Sequence, residues 1–198
     1  MSEKQRGDSP SNWNVPNVLT VIRIVLVPVF LVLLFWAPDV FSWRLGATAV
    51  FVLAMLTDLA DGHIARTYNL VTDFGKLWDP VADKALTGAA FVSLSILGEL
   101  PWFFTVVILL REWGITWVRA VIAKYGVMAA NKGGKAKTLT QTFALILFCL
   151  GLVFLPGWAQ VIAWGLMWAA LLLTVITGVD YLFHAWRIRR DALAKNED

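Results

Sequence analysis

The stretch Asp58-Leu59-Ala60-Asp61-Gly62-His63-Ile64-Ala65-Arg66, followed at short range by Gly75-Lys76-Leu77-Trp78-Asp79-Pro80-Val81-Ala82-Asp83, sets four carboxylates into a chain that is otherwise strongly apolar. Asp58 and Asp61 stand three apart and Asp79 and Asp83 four apart, so if both segments are helical each pair occupies one helix face. The short connection from Thr67 to Phe74 makes the two helices antiparallel neighbours and lets the pairs face each other. Carboxylates held that close repel strongly in a medium of low dielectric, and they need protons or cations between them. Hard divalent cations, which take oxygen ligands, meet that need. Gly62 and Ala65 remove side-chain bulk beside the first pair, leaving room for a ligand such as a phosphate to reach bound metal.

The composition around this stretch is that of a membrane protein. The chain of 198 residues is 59% hydrophobic and only 16% charged, outside the usual soluble balance. It is one domain's worth of chain, with no internal repeat or long linker. Its one cysteine, Cys149, lies in an apolar run and can build neither a disulfide nor a thiolate metal site alone, so packing is its expected role.

Residues 1–15 are polar, lack a signal-peptide core, and end at Trp13 and Val15; they read as a cytoplasmic or interfacial segment. Asn17, just after Pro16, is the expected N-cap of a first span, Val18 to Trp36. Further spans are expected at Trp43 to about Arg66, Asp79 to about Leu97, Trp102 to about Lys124, Leu139 to Leu155 and Trp158 to about Trp186. The predicted fold is therefore all-α and integral to the membrane: a six-transmembrane-helix bundle over residues 16–190 with a tail at 191–198. Pro38-Asp39, Gly98 to Pro101 and Pro156-Gly157 read as tight turns, and Asn131 to Lys135 as a longer basic loop.

Orientation follows from the cations. Lys4, Arg6, Arg66, Lys76 and Lys124, with the lysines at 132–137 and the basic residues at 187–195, fall on one side, against Arg44 alone in the opposite turns. The positive-inside rule then makes both termini and the aspartate motif cytoplasmic. Trp36, Trp43, Trp102 and Trp158 mark the other interface, so the abundance of tryptophan calls for no cofactor.

Other polar residues divide by spacing. Arg111 and Arg119 are eight apart on the fourth helix, hence roughly on one face, and suit either a bound anion or interhelical salt bridges; Glu112 is placed to orient Arg111. Lys132 to Lys137 do not make a phosphate loop, since Ala136 follows Lys135 where Ser or Thr is required and the surroundings are helical. The segment instead reads as a flexible basic loop that holds lipid headgroups or closes over an anion. Arg23, so near a helix end, reads as snorkelling to the interface, and Lys84 either snorkels or pairs with a carboxylate. His63, His184 and Asp180 are assigned to packing or to the interface. A nucleic-acid partner is excluded, because the cations belong to a membrane interface and form no solvent-exposed reading element.

Asp58, Asp61, Gly62, Ala65, Arg66, Gly75, Asp79 and Asp83 match all eight fixed positions of the double signature of the CDP-alcohol phosphotransferases, which this chain resembles. Pro16-Asn17 with Thr20 and Arg23, Arg111-Glu112, and Gly134 to Thr138 with Gln141 resemble the bacterial phosphatidylglycerophosphate synthases within that family. The resemblance implies a homodimeric enzyme of a bacterial plasma membrane that uses two Mg2+ or Mn2+ ions. It implies transfer of the phosphatidyl group of CDP-diacylglycerol to glycerol 3-phosphate. The metal ligands would be Asp58, Asp61, Asp79 and Asp83, and Asp83 would also be the base. Asp58, Asp61, Gly62, Ala65, Arg66 and Gly75 would bind the donor, and Arg111, Arg119, Lys135 and Lys137 the acceptor phosphate. Phosphatidylglycerol, as in cardiolipin synthases of this fold, and inositol phosphate are the alternative acceptors. A divalent-cation transporter would carry acidic residues through the membrane depth, whereas here they cluster at one end.

Overall fold

The computed structural model describes residues 15–67, 73–122 and 132–194. Among them all regular structure is helical: α1 (Val15–Trp36), α2 (Phe41–Thr67), α3 (Asp73–Ile96), α4 (Trp102–Ile122), α5 (Lys132–Cys149) and α6 (Gly157–Ala194), with a 3-10 turn at Leu152–Phe154. The chain forms two compact units, one ending at Ala89 and the other starting at Ala90.

In the first unit α1 and α2 form an antiparallel pair around the turn at Pro38-Asp39. Asn17, Thr20, Arg23, Phe30 and Leu34 make the buried stripe of α1, at helical spacing, while Val18, Val21, Val25, Val29 and Val32 are exposed. The register can be followed from the turn: Trp36 stacks on Trp43 at 5.9 Å, Phe30 meets Phe51 at 5.7 Å, and Arg23 meets Asp58. Seven residues along α1 from Phe30 to Arg23 correspond to seven along α2 from Phe51 to Asp58, as an antiparallel pair requires.

In the second unit the turn after α3 is closed by Gly98, whose φ of +74° suits a residue without Cβ. Across that turn Ser95 and Thr105 share a hydrogen bond of 2.6 Å, and the Thr105 hydroxyl also contacts the Phe91 carbonyl at 3.2 Å. Phe104 packs edge-on to Trp168 and Arg111 reaches Thr177, so α4 and α6 run parallel. Gly151 (φ +83°), the 3-10 turn and Pro156 reverse the chain between α5 and α6, and Phe148 meets Trp164 at 5.0 Å. Cys149 is fully buried, as expected of a packing residue.

Among the described residues two helices, Asn17–Trp36 and Gly157–Ile188, are long and apolar enough to cross a membrane. Lys84–Ile96 on α3 and Ala136–Cys149 on α5 are shorter apolar stretches among the described residues. Large apolar side chains face outward in number, among them Leu110, Trp117, Val161 and Phe183. Surface of that kind is a liability in water and ordinary against lipid.

Several boundaries differ from the sequence expectation. Asn17 is not an N-cap: α1 begins at Val15, with Pro16 in the first turn where its missing N–H costs nothing, and Asn17 is buried. Arg44 does not lie in a turn; it is inside α2 and fully buried. α3 starts at Asp73, so the whole second aspartate run is helical. The basic stretch from Lys132 is the start of α5 and not a loop. Its glycines fall in a first turn whose N–H groups have no intrahelical partner in any case, and Thr138 and Thr140 donate to the Gly134 and Ala136 carbonyls one turn back. α5 stops at Cys149, six residues before its expected end, because Gly151 breaks it; α6 continues to Ala194.

Candidate active site

The first aspartate run occupies the last turns of α2 and the second the first turns of α3. The pairs Asp58/Asp61 and Asp79/Asp83 therefore have the helical spacing that puts each on one face. Asp58 is the motif aspartate whose side chain is described. It is about one-third exposed, and its Oδ1 lies 2.7 Å from Nη1 of Arg23, which is fully buried. The side chains of Asp61, Ala65, Arg66, Asp79, Asp83, Arg119 and Lys135, and the surroundings of Gly62 and Gly75, lie outside the described residues, as does the arrangement of the two pairs against each other. Among the described residues no three acidic, histidine or cysteine side chains converge on a metal site. An all-carboxylate donor set fits a hard divalent ion such as Mg2+ or Mn2+, and Asp58 is open enough to take part.

The second unit holds a polar cluster between α4, α5 and α6. Arg111 donates from Nη2 to Thr177 Oγ1 at 2.9 Å and from Nη1 to Glu112 Oε1 at 3.2 Å. Thr177 is free to accept because its own hydroxyl donates to the Leu173 carbonyl at 2.6 Å. The guanidinium also sits 5.7 Å from the Tyr181 ring centre, within cation–π range. Gly178 gives the arginine stem its space, since a Cβ there would lie 3.1 Å from Arg111 Cγ. Lys137 pairs with Glu112 from α5, so one carboxylate orients two cations. Arg111 and Lys137 bring two positive charges to the one carboxylate of Glu112, in buried or half-buried surroundings. Guanidinium donors beyond the two in use give the cluster the chemistry to take an anion. An open, mainly apolar cleft of about 350 Å3 between α4 and α6 flanks Arg111.

Of the expected acceptor residues, the structure brings Arg111 and Lys137 together through Glu112. Around Arg111 it adds three residues that the sequence did not single out, Thr177, Gly178 and Tyr181; in the first unit Arg23, read as snorkelling, meets Asp58 instead. The i, i+4 spacing of Thr177 and Tyr181 places both on one face of α6, but nothing local links that face to a residue 66 positions earlier. His184 and Asp180 contact each other on the exposed side of α6.

The chain matches the model of the CDP-alcohol phosphatidyltransferase family over residues 13–176. It is 49% identical over 175 residues to a protein of Mycobacterium tuberculosis (strain H37Rv) named probable phosphatidylglycerophosphate synthase, covering 88% of this chain and 82% of the relative. It is 39% identical over 174 residues to the CDP-diacylglycerol–glycerol-3-phosphate 3-phosphatidyltransferase of Rickettsia typhi, covering 85% and 94%. To the protein of that name in Bacillus subtilis it is 36% identical over 188 residues, covering 88% and 96%. Its fold is similar to the crystal structure of Mycobacterium tuberculosis phosphatidylinositol phosphate synthase in apo form, with a TM-score of 0.63 at 21% identity over 88% of this chain and 90% of that one. A family match over most of the chain, with relatives covered over 82% and 94% of their length, identifies the protein as a member of the CDP-alcohol phosphatidyltransferase family.

Proposed function

We propose that the protein transfers the phosphatidyl group of CDP-diacylglycerol to glycerol 3-phosphate, giving phosphatidylglycerol phosphate and CMP. The observation that carries the acceptor is the held arginine: Arg111 is fixed by Thr177, Glu112 and Tyr181, with Lys137 tied to the same carboxylate. A dianionic phosphate suits such a cluster, whereas an uncharged glycerol headgroup has no need of it.

In this reading Asp58, Asp61, Asp79 and Asp83 hold two divalent ions, Mg2+ or Mn2+. Those ions supply Lewis-acid charge stabilisation to the pyrophosphate oxygens. Asp83 takes the proton of the acceptor hydroxyl as its oxygen bonds to the phosphatidyl phosphorus and the phosphorus–oxygen bond to CMP breaks. Arg66 binds the donor's phosphates, and Gly62, Ala65 and Gly75 leave space for them. Arg119 and Lys135 join Arg111 and Lys137 on the acceptor phosphate; all four are carried by α4 and α5. The remaining helices cross the membrane with α1 and α6, giving a six-span protein of a bacterial plasma membrane with termini and site on the cytoplasmic face. The asymmetry of lysine and arginine along the chain supports that orientation. A homodimer is the assembly proposed, on the family resemblance.

The test is CMP release by purified protein in detergent with CDP-diacylglycerol, Mg2+ or Mn2+, and glycerol 3-phosphate, phosphatidylglycerol or inositol phosphate as acceptor. Preference for glycerol 3-phosphate is expected. Arg111→Ala is expected to raise the KM for glycerol 3-phosphate steeply and to leave that for CDP-diacylglycerol nearly unchanged. A wild type that prefers another acceptor overturns the assignment.

A further inference from the structure

Arg23 is fully buried on α1, and one of its nitrogens lies 2.7 Å from Asp58 Oδ1 on α2. A snorkelling arginine would carry its guanidinium out to the interface, and this one does not. The antiparallel register explains the meeting. Arg23 lies eight residues into α1 and Asp58 nine residues before the end of α2, which is about 12–14 Å along each helix at 1.5 Å per residue. The same pairing continues in Phe30 with Phe51, so the ion pair is held by the packing of two whole helices and not by a flexible end.

The geometry points to Arg23 as a positioning residue for the metal centre: its charge lies against Oδ1 of Asp58 and so helps direct the carboxylate toward a divalent cation. The inference rests on the proposed role of Asp58 as a metal ligand. Two effects of Arg23 oppose each other. Its positive charge near the site weakens cation binding, and its orientation of the ligand strengthens it. Asp58 is about one-third exposed, and a metal ligand whose carboxylate is misdirected contributes nothing. Groups that orient metal ligands typically carry tenfold to a hundredfold in metal affinity when removed. Orientation is therefore assigned the larger share.

The test is binding of Mn2+ alone to purified protein in detergent, followed as loss of the free-ion paramagnetic resonance signal, with CMP release measured in parallel. Arg23→Gln is expected to weaken Mn2+ binding tenfold to a hundredfold, and to raise the Mn2+ concentration needed for half-maximal CMP release by a similar factor while the KM for glycerol 3-phosphate changes less than twofold. Arg23→Lys keeps the charge without the planar fork and is expected to fall between wild type and Arg23→Gln; it also serves if Arg23→Gln does not fold. In an Asp58→Asn background, Arg23→Gln is expected to add no further loss, because Arg23 acts through Asp58. Tighter Mn2+ binding in Arg23→Gln makes Arg23 a competitor of the metal and overturns the inference. Unchanged binding in both Arg23 variants overturns it as well. A wild type that binds no Mn2+ defeats the metal-site reading itself, a different outcome from either.

Discussion

Replacing Gly178 by alanine is the smallest change that reads out the Arg111 cluster. The added methyl would lie 3.1 Å from Arg111 Cγ and 3.5 Å from Nε. Carbon atoms rest at about 3.5–4.0 Å, so the stem must retreat by a few tenths of an ångström. The bond to Thr177 at 2.9 Å has slack for such a shift, whereas the one to Glu112, already 3.2 Å, is stretched past useful range. A hydrogen bond to a charged group carries about 1.5–3 kcal/mol, and weakening one of the two bonds that aim the guanidinium forfeits roughly half of that at the ligand. The expected effect is a rise in the KM for glycerol 3-phosphate of about threefold to tenfold, or about 0.7–1.4 kcal/mol. Stability moves less than the steric clash suggests. Overpacking costs about 1–3 kcal/mol, and alanine in place of glycine within a helix returns about 1 kcal/mol. The assay is CMP release in detergent with each substrate varied in turn, beside a thermal unfolding curve. An unchanged KM for glycerol 3-phosphate, or an equal rise for both substrates, refutes the assignment of this cluster to the acceptor.

Three further outcomes are expected. Excess chelator abolishes CMP release, and Asp58→Asn and Asp79→Asn each weaken Mn2+ binding as well as rate, because an amide keeps the shape of the ligand but loses the charge; full turnover in chelator removes the metal centre from the mechanism. Asp83→Asn lowers turnover by about a hundredfold to ten-thousandfold, the usual worth of a general base, with the affinity for CDP-diacylglycerol little changed; a proportional loss of donor affinity would make Asp83 a ligand only. Gly98→Ala meets no atom within 4 Å but must hold a φ of +74°, so it is a purely backbone perturbation. It costs about 1 kcal/mol, lowers the unfolding midpoint by about 2–4 °C, and leaves the KM for both substrates unchanged.

The aspartate runs could be read from the sequence because their information is local: spacing of three and four is a property of one helix, and both runs do fall on helices. Helix existence was equally legible, since long apolar runs broken by Pro38, Gly98 and Pro156 leave few alternatives. Boundaries were less so where a residue has two uses. Glycine breaks a helix interior and is harmless in a first turn; Gly133 and Gly134 read as a loop by the first rule, but they fall in the second setting, where α5 begins. Asn17 reads as a cap because asparagine favours that position, but it belongs to the buried stripe of α1. Contacts across helices were not legible at all. That Arg23 meets Asp58, or that Thr177 and Tyr181 hold Arg111, depends on the register of whole helices, and register leaves no mark at the residues that end up touching.

If α6 enters the membrane at Gly157, its length sets how deep the acceptor would have to travel. From Gly157 to Thr177 is twenty residues, about 30 Å of helix, which equals the thickness of a bilayer's hydrocarbon core. A helix that enters the membrane at Gly157 therefore brings Thr177, Gly178 and Tyr181, with the arginine they hold, to the level of the opposite headgroups, and its last turns run on into water. With that placement a dianion docking there would keep much of its hydration until the moment of binding, and the severe penalty for stripping water from a doubly charged phosphate would be avoided.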